Sequence, residues 1–297
     1  MIELAFEFHA MGGPNEIRLV GTDEHTLRDA AQSAIGDVRR IEYKYSRYQS
    51  QSIVSRINAL AGTGTMVAVD TETAGLFDFA SRLFEVSGGL FDISSGVLRR
   101  VWDFRNPVVP SARDVQALLP LIGWDKVHWC DSRIQLPSVG MEVDFGGFGK
   151  EYAADRASDA LRLKGAMHGY INLGGDIRVV GPRSDLTHWQ FGIRHPRQAN
   201  ALIRTVALGG GALTSSGDYE RFFEIGGRRY CHVLDPRTGW PVSYWQSVSA
   251  VAPTCAGAGS LCTIAMLMGA MGLAFLEEQS VPYVAVTADE QLYCRSE

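Results

Sequence analysis

Three observations place this chain of 297 residues in the α+β class, with mixed, largely antiparallel sheets flanked by helices. Helical and strand patterns come in mixed runs rather than in strict βα alternation, which argues against a doubly wound parallel sheet. From about Tyr170 to Pro253 one strand pattern follows another, separated by turns rich in Gly, Pro and Asp. No linker is long enough to force a division, so residues 1–297 are expected to form one domain.

Residues 2–8 and 16–20 alternate as two strands around the turn Gly12-Gly13-Pro14-Asn15. After Asp23, an N-cap type, the apolar positions Leu27, Ala31, Ile35, Val38, Ile41 and Tyr45 recur at helical spacing. A second helix is expected over 71–86, burying Leu76, Phe79, Ala80, Leu83 and Phe84 and stopped by Gly88-Gly89. Ser111 heads a short helix to Leu119, with Asp114 three residues on. Short strands are expected at 126–129, 133–136 and 142–145. A helix follows from about Gly149 to Lys164 and ends at Gly165. Strands are then expected at 170–173 and 177–180 around Gly174-Gly175, and at 189–194, 202–208, 221–225, 230–234 and 247–251. A helix over 256–268 and strands near 283–287 and 292–294 close the chain.

The 46% hydrophobic content can fill a real core. The net charge of −5 provides no electrostatic footprint for a nucleic-acid backbone. No run of 18 apolar residues is visible, so no transmembrane segment is expected. The N-terminus lacks the basic segment and apolar core of a signal peptide, so as the sequence stands it reads as cytoplasmic, or as a trimmed chain. Five cysteines with no C-x-x-C pair read as reduced, mostly buried thiols.

Two stretches carry chemistry. Asp144-Phe-Gly-Gly-Phe-Gly-Lys150 is a glycine-rich turn running into a helix, with an acid at its start and a lysine at its end. Its amides and the helix N-terminus suit phosphate or pyrophosphate; a plain strand-to-helix turn with a capping acid reads equally well. Lys150 sits where the helix dipole disfavours cations, which hints at an anionic ligand. Cys231-His-Val-Leu-Asp-Pro-Arg-Thr-Gly239 brings His232 and Asp235 to a strand-to-turn corner. A neutral imidazole there can accept a proton, although Asp-Pro-x-Thr-Gly is also a generic turn. Thr214-Ser-Ser-Gly-Asp218 offers hydroxyls and amides to phosphates, or caps a turn. Phe91-Asp92 offers a ring and an acid to clamp a flat ligand, or a buried Phe and a capping Asp. Met11 and Tyr48 lie in turn-rich sequence, where each can stack on a ring or simply pack.

These stretches, in their shared order and spacing, resemble the ApbE family of flavin transferases (FAD:protein FMN transferases) over nearly the whole chain. The resemblance is carried by Ala10-Met-Gly12, Tyr45-Ser-Arg-Tyr48, Ser55-Arg-Ile-Asn58 and Gly88-Gly-Leu-Phe-Asp92. It continues through Val143 to Lys150 with Tyr152 and Asp155, Asn172-Leu-Gly-Gly-Asp-Ile177, Thr214 to Tyr219, and His232 to Pro241. It implies that FAD binds in a cleft with Mg²⁺ on its pyrophosphate. A Thr or Ser hydroxyl of a target protein attacks the FMN-side phosphorus, and AMP leaves. Met11, Tyr48, Leu90, Phe91 and Asp92 would contact flavin or adenine, and Asp144 and Lys150 would hold the FAD. The Gly147 carbonyl and Thr263 would face the metal, and His232 would be the base.

One departure stands out. The family's Ala-Asp-Ala-Leu-x-Thr is here Ala258-Gly-Ser-Leu-Cys-Thr263, so Gly259 stands where a metal-binding aspartate is expected. A hard cation prefers carboxylate. A non-catalytic flavin carrier and a FAD pyrophosphatase with water as acceptor therefore stay open beside the transferase, as does a hydrolase or binding protein for another nucleotide. The absent targeting signal is a second departure, since many family members are exported or lipid-anchored.

Overall fold

The computed structural model describes residues 1–296. β1 (Ile2–Ala10) and β2 (Gly13–Gly21) form the hairpin that the alternation predicts. Its loop is Met11-Gly12, slightly earlier than expected, with both residues at positive φ, 54° and 80°. That is the geometry a two-residue hairpin turn requires. α1 (Glu24–Tyr45) starts where Asp23 accepts from the amides of His25 and Thr26, and buries the stripe from Leu27 to Tyr45. α2 (Ile53–Ala59), capped by Ser52, was not anticipated. β3 (Val67–Ala68) precedes α3 (Thr71–Val86), which has the expected bounds, an Asp70 cap, and Gly88-Gly89 beyond its end.

A 3₁₀ stretch (Ile93–Arg100) and α4 (Ala112–Leu118, capped by Ser111) follow. β4 (His128–Cys130) and β5 (Arg133–Gln135) join β3 in a small sheet of order β3-β5-β4. No strand forms at 142–145. That extended segment is pinned instead by a side chain: Asn58 accepts from the Val143 amide at 2.8 Å and donates to its carbonyl at 3.0 Å.

α5 (Gly149–Leu163) leads into β6 (His168–Leu173), β7 (Asp176–Gly181), β8 (Trp189–Arg194), β9 (Leu202–Leu208), β10 (Ala212–Gly217), β11 (Phe222–Ile225), β12 (Arg228–Cys231) and β13 (Trp245–Ala252). α6 (Cys255–Met268), α7 (Gly272–Gln279), β14 (Tyr283–Thr287) and β15 (Leu292–Arg295) complete the chain. The main sheet has eight strands in the order β1-β2-β6-β7-β10-β13-β14-β15, and every adjacent pair is antiparallel. The α+β expectation therefore holds.

Both faces of the sheet are covered. Leu19, Val180 and Ala250 belong to the core shared with α1, α5 and α6. The alternate residues Val20, Val179 and Leu213 pack under the β8–β9 ribbon with Trp189, Phe191 and Ile193. This two-sided burial explains why Thr214-Ser-Ser-Gly217, read from sequence as a phosphate-binding or turn-capping stretch, is part of a central strand. The helical stretch 255–279 is long and apolar enough by composition to cross a membrane, contrary to expectation, but over half of it is buried inside the fold. The five cysteines are free, three of them buried.

Candidate active site

The β2–β6 register, Asn15 opposite Leu173, puts the Met11 loop and the Gly174-Gly175 turn at one end of the sheet. Met11 holds a left-handed backbone conformation that is uncommon for a residue with a side chain. From that end β10 continues to Asp218, which Arg197 grips with two 2.6 Å hydrogen bonds.

The glycine-rich turn sits beside this end. The Asp144 amide donates to the Ile93 carbonyl (2.9 Å), and its Oδ1 accepts from the Gly146 amide at 2.9 Å. Oδ2 lies 3.3 Å from Arg47 and 3.6 Å from Arg99. Asp144 thus shapes the turn and anchors two guanidiniums. Gly147 rides on Phe91: a Cβ there would lie 2.8 Å from the ring. No side chain caps α5 at Phe148, and the Gly149 amide donates to the Phe145 carbonyl at 2.6 Å, which leaves the amides that follow it in the first turn to a ligand.

Lys150 in that first turn is 2.7 Å from Asp176 Oδ2, and Asp176 is only 3% exposed. Burial works to lower the Lys150 pKa, but the Asp176 and Glu151 charges outweigh it and the net shift is upward. Asp176 therefore accounts for a cation at a helix N-terminus. The neighbouring Glu151 is pushed up to about 8, by burial first and then by the Asp176 charge. Its Oε2 is sealed from solvent and has no hydrogen-bond partner. Glu151 leans on α6 at Gly259, where an added Cβ would meet its Cγ at 2.8 Å and Oε1 at 2.9 Å. One turn along α6, Thr263 Oγ1 is 3.2 Å from Ser216 Oγ of β10.

His232 follows β12 and its amide donates to the Arg221 carbonyl at 3.0 Å. The residue is half-buried, with Nδ1 sealed and without a partner. Its pKa is pushed down to about 4, by burial first and then by the charges of Arg221, Arg99 and Lys150. Those cations put His232 in one electrostatic neighbourhood with Lys150 and Asp144. Arg99 also donates to the Tyr48 hydroxyl at 3.1 Å, and the Tyr48 side chain stands 79% exposed.

Other expected contacts face inward. Leu90, Phe91 and Asp92 are 7%, 4% and 7% exposed. Asp92 spends Oδ1 on the Ser94 amide and hydroxyl and Oδ2 on the Trp124 amide, with its pKa raised by burial. Asp92 is thus a buried cap, and Phe91 supports Gly147 from below. Thr214 is buried against Cys262 rather than offered to a phosphate. The residues missed from sequence are Glu151, Asp176, Arg47, Arg99 and Arg221. Of these, Asp176 had a signal, an acid closing a Gly-Gly turn between strands.

Among the described residues no three His, Cys, Asp or Glu side chains group into a metal site of their own. Magnesium commonly takes one or two carboxylates plus substrate phosphates and waters. Glu151, whose Cγ and Oε1 fill the space of a side chain at 259 and whose Oε2 is unsatisfied, fits that donor set together with the Thr263 hydroxyl. Two depressions of ≈ 380 and ≈ 280 Å³ lie elsewhere, around Val251, Pro282 and Arg295.

The fold is shared with proteins of known kind. The model of the ApbE family matches residues 11–285. A FAD:protein FMN transferase of Klebsiella pneumoniae is 33% identical over 239 residues, 78% of this chain and 72% of that protein. One of Vibrio cholerae is 28% identical over 271 residues, 89% of this chain and 80% of its own length. The crystal structure of the ApbE protein of Thermotoga maritima superposes with a TM-score of 0.92 at 29% identity, covering 99% of this chain and 97% of that one. The apo flavinyl transferase ApbE of Pseudomonas stutzeri gives 0.85 at 28% identity, covering 99% and 94%. The chain therefore belongs to the ApbE family.

Proposed function

We propose that this chain is a FAD:protein FMN transferase. The observation that carries the reading is Lys150, in the first turn of the uncapped α5, paired with Asp176 at the Gly174-Gly175 end of the sheet, with Arg99 on Asp144 of the adjoining turn. This occurs in a chain that matches transferases over most of its length.

A Thr or Ser hydroxyl oxygen of the target protein attacks the phosphorus on the FMN side of the pyrophosphate. The new P–O bond forms as the bond to the bridging oxygen breaks, and AMP leaves with that electron pair. His232 takes the hydroxyl proton. It is neutral at pH 7, and phosphates arriving beside it raise its proton affinity toward the range where a base works well. The first-turn amides of α5 and Lys150 hold the anionic diphosphate. Tyr48, fixed by Arg99, and the Met11 loop provide faces for the flavin or adenine ring. The Gly147 carbonyl and the Thr263 hydroxyl would hold Mg²⁺, which would offset charge on the pyrophosphate.

The test is incubation with FAD, Mg²⁺ and a Thr-bearing acceptor peptide, with AMP, free FMN and peptide-bound FMN quantified. Equal AMP and peptide-bound FMN support transfer. AMP with free FMN alone points to water as acceptor. FAD binding without AMP in the presence of acceptor points to the flavin carrier that Gly259 raises. His232→Ala is expected to abolish flavinylation, and retained flavinylation would remove His232 as the base.

A further inference from the structure

We infer that Glu151 supplies, from α5, the carboxylate that position 259 of α6 lacks, so that this chain binds its divalent cation through a relocated acid. The inference rests on the transferase reading above, and three observations carry it.

First, Glu151 and any side chain at 259 compete for one volume. A Cβ on Gly259 would lie 2.8 Å from Glu151 Cγ, 2.9 Å from Oε1 and 3.1 Å from Cδ. The glycine is what lets the glutamate lie down on α6. Its side chain therefore lies against the point on α6 from which an aspartate at 259 would start.

Second, that carboxylate is not satisfied by the protein. Oε2 is sealed from solvent and makes no hydrogen bond. The nearest cation is already committed, since Lys150 Nζ lies 2.7 Å from Asp176. A buried oxygen with free lone pairs is costly unless something binds it. Burying an acid to no end is poor design for a first helical turn; burying it to meet a cation explains both its position and its missing partner.

Third, the other oxygen donor stands on the same face. Thr263 is four residues beyond Gly259, one turn along α6. Its hydroxyl is held by Ser216 at 3.2 Å, which orients an oxygen without burying it against an amide. One carboxylate and one hydroxyl, with carbonyl and phosphate oxygens, form a hard donor set suited to Mg²⁺ or Mn²⁺.

The experiment measures Mn²⁺ binding to the full chain with FAD, by electron paramagnetic resonance and calorimetry, in four proteins: wild type, Glu151→Gln, Gly259→Asp, and the double variant Glu151→Gly/Gly259→Asp. Melting temperature serves as the fold control. Glu151→Gln keeps the side-chain shape and should weaken Mn²⁺ binding at least about tenfold, the loss that even an indirect partner of a metal ligand produces. Gly259→Asp alone should melt lower, because two acids contend for one space, and should not bind Mn²⁺ more tightly than wild type. The double variant should regain wild-type affinity by returning the acid to α6.

Wild-type affinity in Glu151→Gln overturns the inference, as does a Gly259→Asp protein with raised affinity and unchanged melting. In either case FAD binding by the wild type leaves the transferase reading standing. A wild-type chain that binds neither FAD nor Mn²⁺ overturns both.

Discussion

Acidification from pH 7.5 to 5 should cost the folded chain about 2 kcal/mol through His232 alone. Folding lowers its pKa from 6.5 to about 4, because burial and the charges of Arg221, Arg99 and Lys150 disfavour the imidazolium. The unfolded chain therefore binds a proton that the folded chain refuses. The contribution is fully present above pH 6.5 and is lost as pH falls toward 4. The gap corresponds to about 3 kcal/mol at its acid limit and about 2 kcal/mol at pH 5. Urea unfolding of wild type and His232→Gln across pH 4.5–7.5 reads this directly, since the glutamine cannot titrate. The variant's stability should fall less steeply by about the same 2 kcal/mol. Parallel profiles would refute the reasoning, because they would mean that His232 titrates alike in both states. The same shift predicts an acid limb near 4 in kcat/KM, which reports the free protein, and a higher one in kcat, where phosphates surround the ring.

Three further perturbations follow from the packing. Asp176→Asn leaves Lys150 without its partner and should cost about 2 kcal/mol by thermal or urea unfolding, below the cost of breaking a fully buried pair because the lysine side chain is one-third exposed. Gly147→Ala drives a methyl into Phe91 and should cost about 1–3 kcal/mol, with Phe91→Leu recovering part of it in a double-mutant cycle. Glu72, held well below the usual carboxylate range first by Arg40 and also by Lys44 and Tyr152, stabilises the fold above its unfolded value of 4.5. Glu72→Gln should cost about 1 kcal/mol at pH 7 after solvent screening, with the gap narrowing as wild type is taken below pH 4.5.

Local chemistry was legible wherever the chain itself settles an element. α3 follows from Asp70 at its head and Gly88-Gly89 beyond its end, and β8 and β9 follow from their composition and alternation. Misreadings arose where a distant partner decides. Residues 142–145 look like a strand but bond to the Asn58 side chain. Thr214-Ser-Ser-Gly217 reads as a phosphate-binding or turn-capping stretch but belongs to β10, which pairs with β7 and β13. In the site, Lys150 and His232 were visible as odd residues in odd places. Glu151 was not, because Lys-Glu in a helix reads as a solvated pair, and only the contact with Gly259 gives it meaning. For Asp92 the sequence offered a clamp or a cap without deciding between them, because one of its three hydrogen-bond donors, the Trp124 amide, is remote in sequence.

The fit of Glu151 against Gly259 also constrains how this chain can change over generations. A side chain gained at 259 while Glu151 remains creates a collision, and trimming Glu151 while Gly259 remains opens a void between α5 and α6. Each single step passes through a less stable protein, whereas the paired change does not. Positions 151 and 259 should therefore be inherited as a unit: among relatives of this chain a large residue at one should accompany a small residue at the other, and hybrids that mix the two should be rare.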